Sequence, residues 1–282
     1  MNEKTGSFTS RDNLELFYRH FEAEPELGRV VIAHGVGEHS GRYGNVVQSL
    51  VPKGLSIFAL DHRGHGKSQG KKGHVNAFEE YLNDLQAFVL LAREGLAAEN
   101  KLFLLGHSMG GLIALNFTLG YQDLLDGVIV SSPGLGMKVQ VPAVKSFLGK
   151  MMSSIWPGLT LGNELDVTKI SHDAEVISKY ENDPLVHDRV SARWFTEFLS
   201  AMENANRLVE QIKIPILMQI AGDDHLVDAE SSQKFFEKLT APDKTLHVYD
   251  NLYHEIYNET DAERKKVLAD LEKWLEAQLG AK

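Results

Sequence analysis

Between residues 102 and 115 the chain reads LFLLGHSMGGLIAL, and this stretch constrains the fold more tightly than any other. Leu102-Phe103-Leu104-Leu105 is the length of a buried strand, and Leu112, Ile113, Leu115 and Phe117 follow at helical spacing. Only Gly106-His107-Ser108-Met109-Gly110-Gly111 lies between them. A strand that turns so abruptly into a helix brings backbone against backbone. Glycine at 106 and 110 leaves the room, because a side chain there would strike its neighbours. Ser108 is then held in a strained, exposed position. Gly-x-Ser-x-Gly between strand and helix is the arrangement that presents a nucleophilic serine. The bland alternative is a glycine-rich helix start with an incidental serine, and the flanking strand and helix weigh against it.

The rest of the chain alternates in the same way. Residues 5–21 read as a β-hairpin turning at Ser10-Arg11-Asp12-Asn13. Arg29-Val30-Val31-Ile32-Ala33 is a buried strand that breaks into His34-Gly35-Val36-Gly37-Glu38-His39. Residues 55–60 form another strand, ahead of the loop 61–68, and a helix is expected over 78–95. Val128-Ile129-Val130 closes at Ser131-Ser132-Pro133. Strands at 214–220 and 245–249 flank a helix at 229–239, and a final helix follows the capping box Thr260-x-x-Glu263. This alternation predicts an α/β class with a mostly parallel central sheet flanked by helices on both faces. The rhythm fails from about 134 to 212, where no buried strand is evident. Two amphipathic helices are expected there instead. One carries Val144, Phe147, Leu148, Met151, Met152 and Ile155, the other Trp194, Phe195, Phe198, Leu199 and Met202. Because the block interrupts the alternation, 134–212 is expected to be a helical cap, with 1–133 and 213–282 forming the core.

Composition narrows the function. A net charge of −10 over 282 residues argues against a nucleic-acid partner and against electrostatic capture by anionic lipid. With no cysteine, a thiol nucleophile and thiolate metal sites are excluded. MNEKTGSFTS has no apolar core of a signal peptide, and the longest apolar run, 87–92, is far short of a membrane span, so a cytoplasmic location is expected. Two motifs are turned down. Gly66-Lys67-Ser68 resembles the end of a phosphate-binding loop, but that loop needs glycine where Asp61 stands. His62-x-x-His65 resembles a metal pair, but the segment is broken by glycine and has no carboxylate at helical spacing, so no metal is expected.

A serine hydroxyl is a poor nucleophile without a base, and the base needs an acid to fix its tautomer. Working groups in a parallel sheet collect at the carboxyl ends of strands. Of 12 histidines, His225, His247 and His254 lie well downstream of Ser108. His247 falls inside a strand and His225 adjoins the acids, which leaves His254 as the base. Asp228 reads as a helix N-cap, and spacing does not separate Asp223 from Asp224 as the acid. Backbone N–H groups of Met109 and of Val36, in the His34-Gly35-Val36-Gly37 turn, are the candidate oxyanion donors.

HGVGEHSGRY, DHRGHGKSQG, GHSMGG, AGDDHLVD and LYHEIYNE, with YENDPL in the insertion, together resemble the monoacylglycerol lipase and lysophospholipase branch of the α/β-hydrolases. The similarity spans nearly the whole chain. It implies the α/β-hydrolase fold with an inserted cap, and it makes Ser108 the nucleophile, Asp224 the acid, His254 the base, and Val36 and Met109 the oxyanion donors. It implies a single-chain lipid ester as substrate and no cofactor. It places Glu38 and Arg42 at the glycerol head, and puts Tyr257 where the family often has histidine. Met151, Met152, Ile155 and Trp156 become candidates for lining an acyl tunnel or touching a membrane or micelle surface, against the plainer reading that they pack the cap itself. Rival activities are a lysophospholipase or general carboxylesterase with the same triad, an acyltransferase, and an aminopeptidase using Glu164, Asp166 or Glu175 to hold an amine. A non-catalytic binding protein that has kept the fold is a further alternative.

Overall fold

The computed structural model describes residues 2–138 and 143–280, and among 143–148 the backbone only. An antiparallel hairpin opens the chain, β1 (Glu3–Thr9) and β2 (Glu15–Phe21), turning at Asn13 with φ 66°. Next come β3 (Gly28–Ala33), α1 (Gly44–Leu50), β4 (Leu55–Leu60), α2 (Glu79–Arg93), β5 (Lys101–His107), α3 (Met109–Tyr121) and β6 (Gly127–Ser131). The chain then leaves the sheet through α4 (Ala143–Ile155), β7 (Thr160–Gly162), α5 (Ala174–Glu181), β8 (Arg189–Ser191) and α6 (Ala192–Leu208). It returns with β9 (Ile216–Ala221), α7 (Ala229–Lys238), β10 (Lys244–Tyr249) and α8 (Asp261–Gly280).

The main sheet has the order β1-β2-β4-β3-β5-β6-β9-β10. The hairpin edge is antiparallel, and every pairing from β4 to β10 is parallel. Side chains alternate across a strand, so β5 feeds two cores. Leu102 and Leu104 join α2, α3 and α6 on one face, and Phe103 and Leu105 join α1 and α8 on the other. All four are fully buried, each contributing about 1.5–3 kcal/mol of apolar burial. Burial on both faces is why the parallel strands read as continuous apolar runs.

The structure adds elements that periodicity did not announce. Helix α1 was not expected, and neither were α5 and the short antiparallel pair β7–β8 inside the insertion. These elements are short, and among its eight residues α5 buries only Tyr180, so no apolar stripe marks it. Helix α4 faces two ways. Gly149 lies toward Phe195, and the buried Ser153 shares a hydrogen bond of 2.8 Å with Thr196 on α6. Met151 and Ile155 point outward. Val144, Phe147 and Leu148 belong to the side chains outside the description. The capping box also resolves differently from expectation: the Thr260 N–H donates to Glu259 at 3.3 Å. Among the described residues no helix is long and apolar enough to cross a membrane.

Candidate active site

Between the last residue of β5 and the first of α3, Ser108 makes the turn alone, with φ 54° and ψ −117°. That conformation costs a non-glycine residue about 1–3 kcal/mol and persists only where the surroundings enforce it. They do so here. A Cβ at Gly106 would lie 2.3 Å from the Gly110 carbonyl oxygen, and one at Gly110 would lie 2.0 Å from that of Ala33. The Ser108 N–H donates to Ser131 at 3.0 Å, and the Ser108 carbonyl accepts from Gly134 at 3.0 Å. Phe198 of α6 reaches the same place: its ring would touch a Cβ at Gly134 at 2.7 Å. Helical spacing groups Phe198 with the insertion's own apolar face and gives no sign that its ring lies against Gly134.

The loops after β9 and β10 bring an acid and a base together. Asp224, 2% exposed, has Oδ2 at 2.7 Å from His254 Nδ1. Its Oδ1 accepts the N–H groups of Leu226 at 2.8 Å and Val227 at 2.9 Å. Asp223 points to solvent, 54% exposed, against His225 at 3.3 Å. Spacing left these two aspartates open, and the fold separates them by direction. Burial alone would raise the Asp224 pKa, but the charge and hydrogen bond of His254 and the two N–H groups bring it below its usual value. Burial likewise opposes charge on His254, and Asp224, Glu255 and Glu38 outweigh it, so His254 is raised. His107, whose ring lies 4.7 Å from that of His254, is held down at about 3 by burial and by His254 itself, and stays neutral. Asp228 caps α7 by accepting from the Ser231 N–H.

Met109 opens α3, where backbone N–H groups have no intrahelical partner. The loop carrying Val36 lies against the serine, since a Cβ at Gly35 would come within 3.3 Å of Ser108 Cβ. Glu38 shapes this loop. It is buried, and its Oε1 accepts from the Gly35 N–H at 2.6 Å and the Tyr43 hydroxyl at 2.9 Å. Its Oε2 accepts from Arg42 Nε at 3.2 Å. Arg42 also donates to Glu255 at 2.5 Å, and its guanidinium lies 4.6 Å from the centre of the Tyr180 ring. Burial works against that charge, but Glu255 and Glu38 prevail and raise the Arg42 pKa.

The residues expected at the glycerol head are tied to one another and to their neighbours. Glu38 and Arg42 pair with one another, Glu38 also accepts from Gly35, and Arg42 also donates to Glu255. The polar pocket they line with Tyr43, His107 and Tyr257 holds about 10 Å³, the room of one water molecule. Tyr257 packs in the core, and its hydroxyl donates to Gln219 at 2.6 Å. Of the residues expected to line a tunnel or touch a lipid surface, most are exposed. Ile155 is 72% and Trp156 62% exposed, beside the exposed Met151 and Leu161, and Met152 is half-buried. Met151, Ile155, Trp156 and Leu161 thus leave apolar surface exposed on the insertion. Loop 61–68 is built around Asp61, whose carboxylate accepts from Ser40 and Lys67, both at 2.8 Å. His62 and His65 sit in a buried ring cluster with His34 and His187.

Comparison with known proteins agrees with this architecture. A model of the serine aminopeptidase S33 family matches residues 24–261. The monoacylglycerol lipase of Mycolicibacterium smegmatis is 33% identical over 257 residues, 89% of this chain and 89% of the relative. Phospholipase YtpA of Bacillus subtilis is 33% identical over 245 residues, 86% of this chain and 93% of its own. The crystal structure of Paleococcus ferrophilus monoacylglycerol lipase superposes with a TM-score of 0.86 at 35% identity, covering 94% of this chain and 99% of that one. Matched over most of its length and carrying the fold that these proteins share, the chain belongs to the serine aminopeptidase S33 family of α/β-hydrolases.

Proposed function

We propose that this protein is a serine ester hydrolase that cleaves monoacylglycerols, or similar single-chain lipid esters, to fatty acid and glycerol. The observation that carries the chemistry is the 2.7 Å bond of buried Asp224 to His254 Nδ1, in the same fold that forces Ser108 into its turn. That bond leaves His254 Nε2 as the basic nitrogen. In the proposed cycle Ser108 Oγ attacks the ester carbonyl carbon as its proton passes to His254 Nε2. The N–H groups of Val36 and Met109 hold the oxyanion. The bond to the glycerol oxygen then breaks, and that oxygen takes the proton from His254. Water, deprotonated by His254, attacks the acyl carbonyl carbon; the bond to Ser108 Oγ breaks, Oγ takes the proton back from His254, and the fatty acid leaves. The cycle balances without a cofactor.

The family resemblance and the monoacylglycerol lipases aligned over nearly the whole chain support the substrate class. Phospholipase YtpA favours a second reading, a lysophospholipid. A chain of net charge −10 with Glu38 and Glu255 buried beside His254 disfavours a phosphate there. The amine-binding alternative has less support: Asp166 caps its own turn through Thr168, and Glu175 pairs with Lys179 at 2.8 Å. In our reading residues 134–212 are the cap, Phe198 walls the acyl group, and the patch of Met151, Ile155, Trp156 and Leu161 touches a membrane or micelle surface. A cytoplasmic setting belongs to the same proposal. The test is a panel of monoacylglycerol, lysophosphatidylcholine and a short nitrophenyl ester. Monoacylglycerol is expected to lead in kcat/KM by about tenfold, a difference of about 1.4 kcal/mol, and a lead for lysophosphatidylcholine overturns the head-group assignment. Trp156→Ala is expected to slow turnover of vesicle-borne monoacylglycerol and leave the soluble ester unaffected.

The raised His254 pKa sets the acid limb. The base acts only when neutral, so kcat/KM is expected to fall as pH drops, with its midpoint above the ordinary histidine value of about 6.5. A kcat/KM profile on the soluble ester reads this directly, and a midpoint below 6 contradicts it.

A further inference from the structure

One carboxylate stitches the insertion to the loop that carries His254. Glu259 is fully buried, and its oxygens collect donors from both sides of the seam. Oε1 accepts from the Tyr253 N–H at 2.8 Å and from His172 Nδ1 at 2.9 Å. Oε2 accepts from the His172 N–H at 3.0 Å and the Thr260 N–H at 3.3 Å. Around it the seam continues. The Glu255 N–H donates to the Ile170 carbonyl at 2.8 Å, and Ser171 Oγ donates to the Asn258 carbonyl at 2.9 Å. The His172 ring stacks on Tyr253 at 3.6 Å. Residues 170–172, between β7 and α5, therefore lie as a strap across loop 253–260, and His254 is gripped through the residue before it and the residue after it.

We propose that Glu259 is a positioning residue for the reaction, and that its carboxylate makes the placement of His254 depend on the seating of residues 170–172. The inference rests on the reading of His254 as the base. Beyond its bond to Asp224, the imidazole is aimed by the backbone that carries it, and that backbone is held by the strap. Only a carboxylate accepts from both sides. An amide at 259 would turn one oxygen into a donor, facing either the Tyr253 N–H or the N–H groups of His172 and Thr260, and backbone N–H groups cannot change role. Misplacing a catalytic group by about 1 Å costs on the order of a hundredfold.

The test measures the rate of Ser108 labelling by a fluorophosphonate, with kcat and KM on a short soluble nitrophenyl ester. Glu259→Gln is expected to lower kcat and the labelling rate about ten- to a hundredfold with KM unchanged, and Glu259→Asp, which keeps the acceptors, to recover part of the loss. His172→Ala removes one donor and a half-exposed ring, so it folds where Glu259→Gln fails to; about fivefold is expected, the effect of one hydrogen bond. Wild-type labelling and kcat in His172→Ala and in every Glu259 variant that folds, whatever their melting temperatures, overturn the inference alone. A wild-type protein that does not label removes the assignment of Ser108, and this inference with it.

Discussion

Replacing Ser108 by Ala is expected to lower kcat on monoacylglycerol by about 10⁶-fold, the scale on which a triad enzyme loses its nucleophile. The fold should not notice. Alanine keeps the Cβ, so the strained backbone at φ 54° is neither relieved nor worsened, and the hydrogen bonds that pin the turn are made by the backbone of residue 108. Thermal unfolding is therefore expected to stay close to wild type while fluorophosphonate labelling disappears. Turnover of the purified variant within tenfold of wild type would remove Ser108 from the mechanism and, with it, the proposal of an acyl-enzyme.

Asp224→Asn is expected to cost about 10⁴-fold in kcat, the price of the wrong histidine tautomer. The geometry says why the amide cannot adapt. The N–H groups of Leu226 and Val227 both point at Oδ1, so an asparagine must place its oxygen there and turn its NH₂ toward His254. That NH₂ donates to Nδ1, the ring proton moves to Nε2, and no lone pair remains to take the proton of Ser108. Asp223→Asn is expected to stay within about threefold of wild type, because that side chain sits in solvent, where exposed pairs contribute little. The two variants measured side by side on the soluble ester decide the acid: a larger loss in Asp223→Asn would reverse the assignment.

Much of the fold was legible before any coordinate. The strands at 55–60 and 245–249, the helix at 229–239 and the interruption after Pro133 were readable because apolar period and turn chemistry are local. The site was legible in part. His254 followed from chain order and from its place after a strand. The choice between Asp223 and Asp224 did not, since two adjacent residues differ only in the direction that the loop after β9 gives them. Glu38, Arg42 and Tyr257 stand at the glycerol head by resemblance alone, which says nothing of their partners in the protein. Their partners lie elsewhere: Arg42 meets Glu255 across 213 residues, and Tyr257 meets Gln219 across 38. A charged residue in a motif looks the same on paper whether it faces a ligand or another buried charge.

By itself the sequence determined the α/β alternation, the strand-to-helix turn at Ser108 and the order in which a serine, an aspartate and a histidine follow strand ends. Each rests on a constraint that acts within a few residues: the period of a strand, the absence of a Cβ at Gly106 and Gly110, the end of a strand as the place where a loop emerges. Only the tertiary structure decided which aspartate turns toward His254, that Met151, Ile155 and Trp156 lie outside, and that Glu259 joins His172 to Tyr253. Those are matters of which distant segments meet, and 87 residues separate His172 from Glu259. Burial then made the pairing consequential, because a buried carboxylate must find its hydrogen-bond donors within the protein.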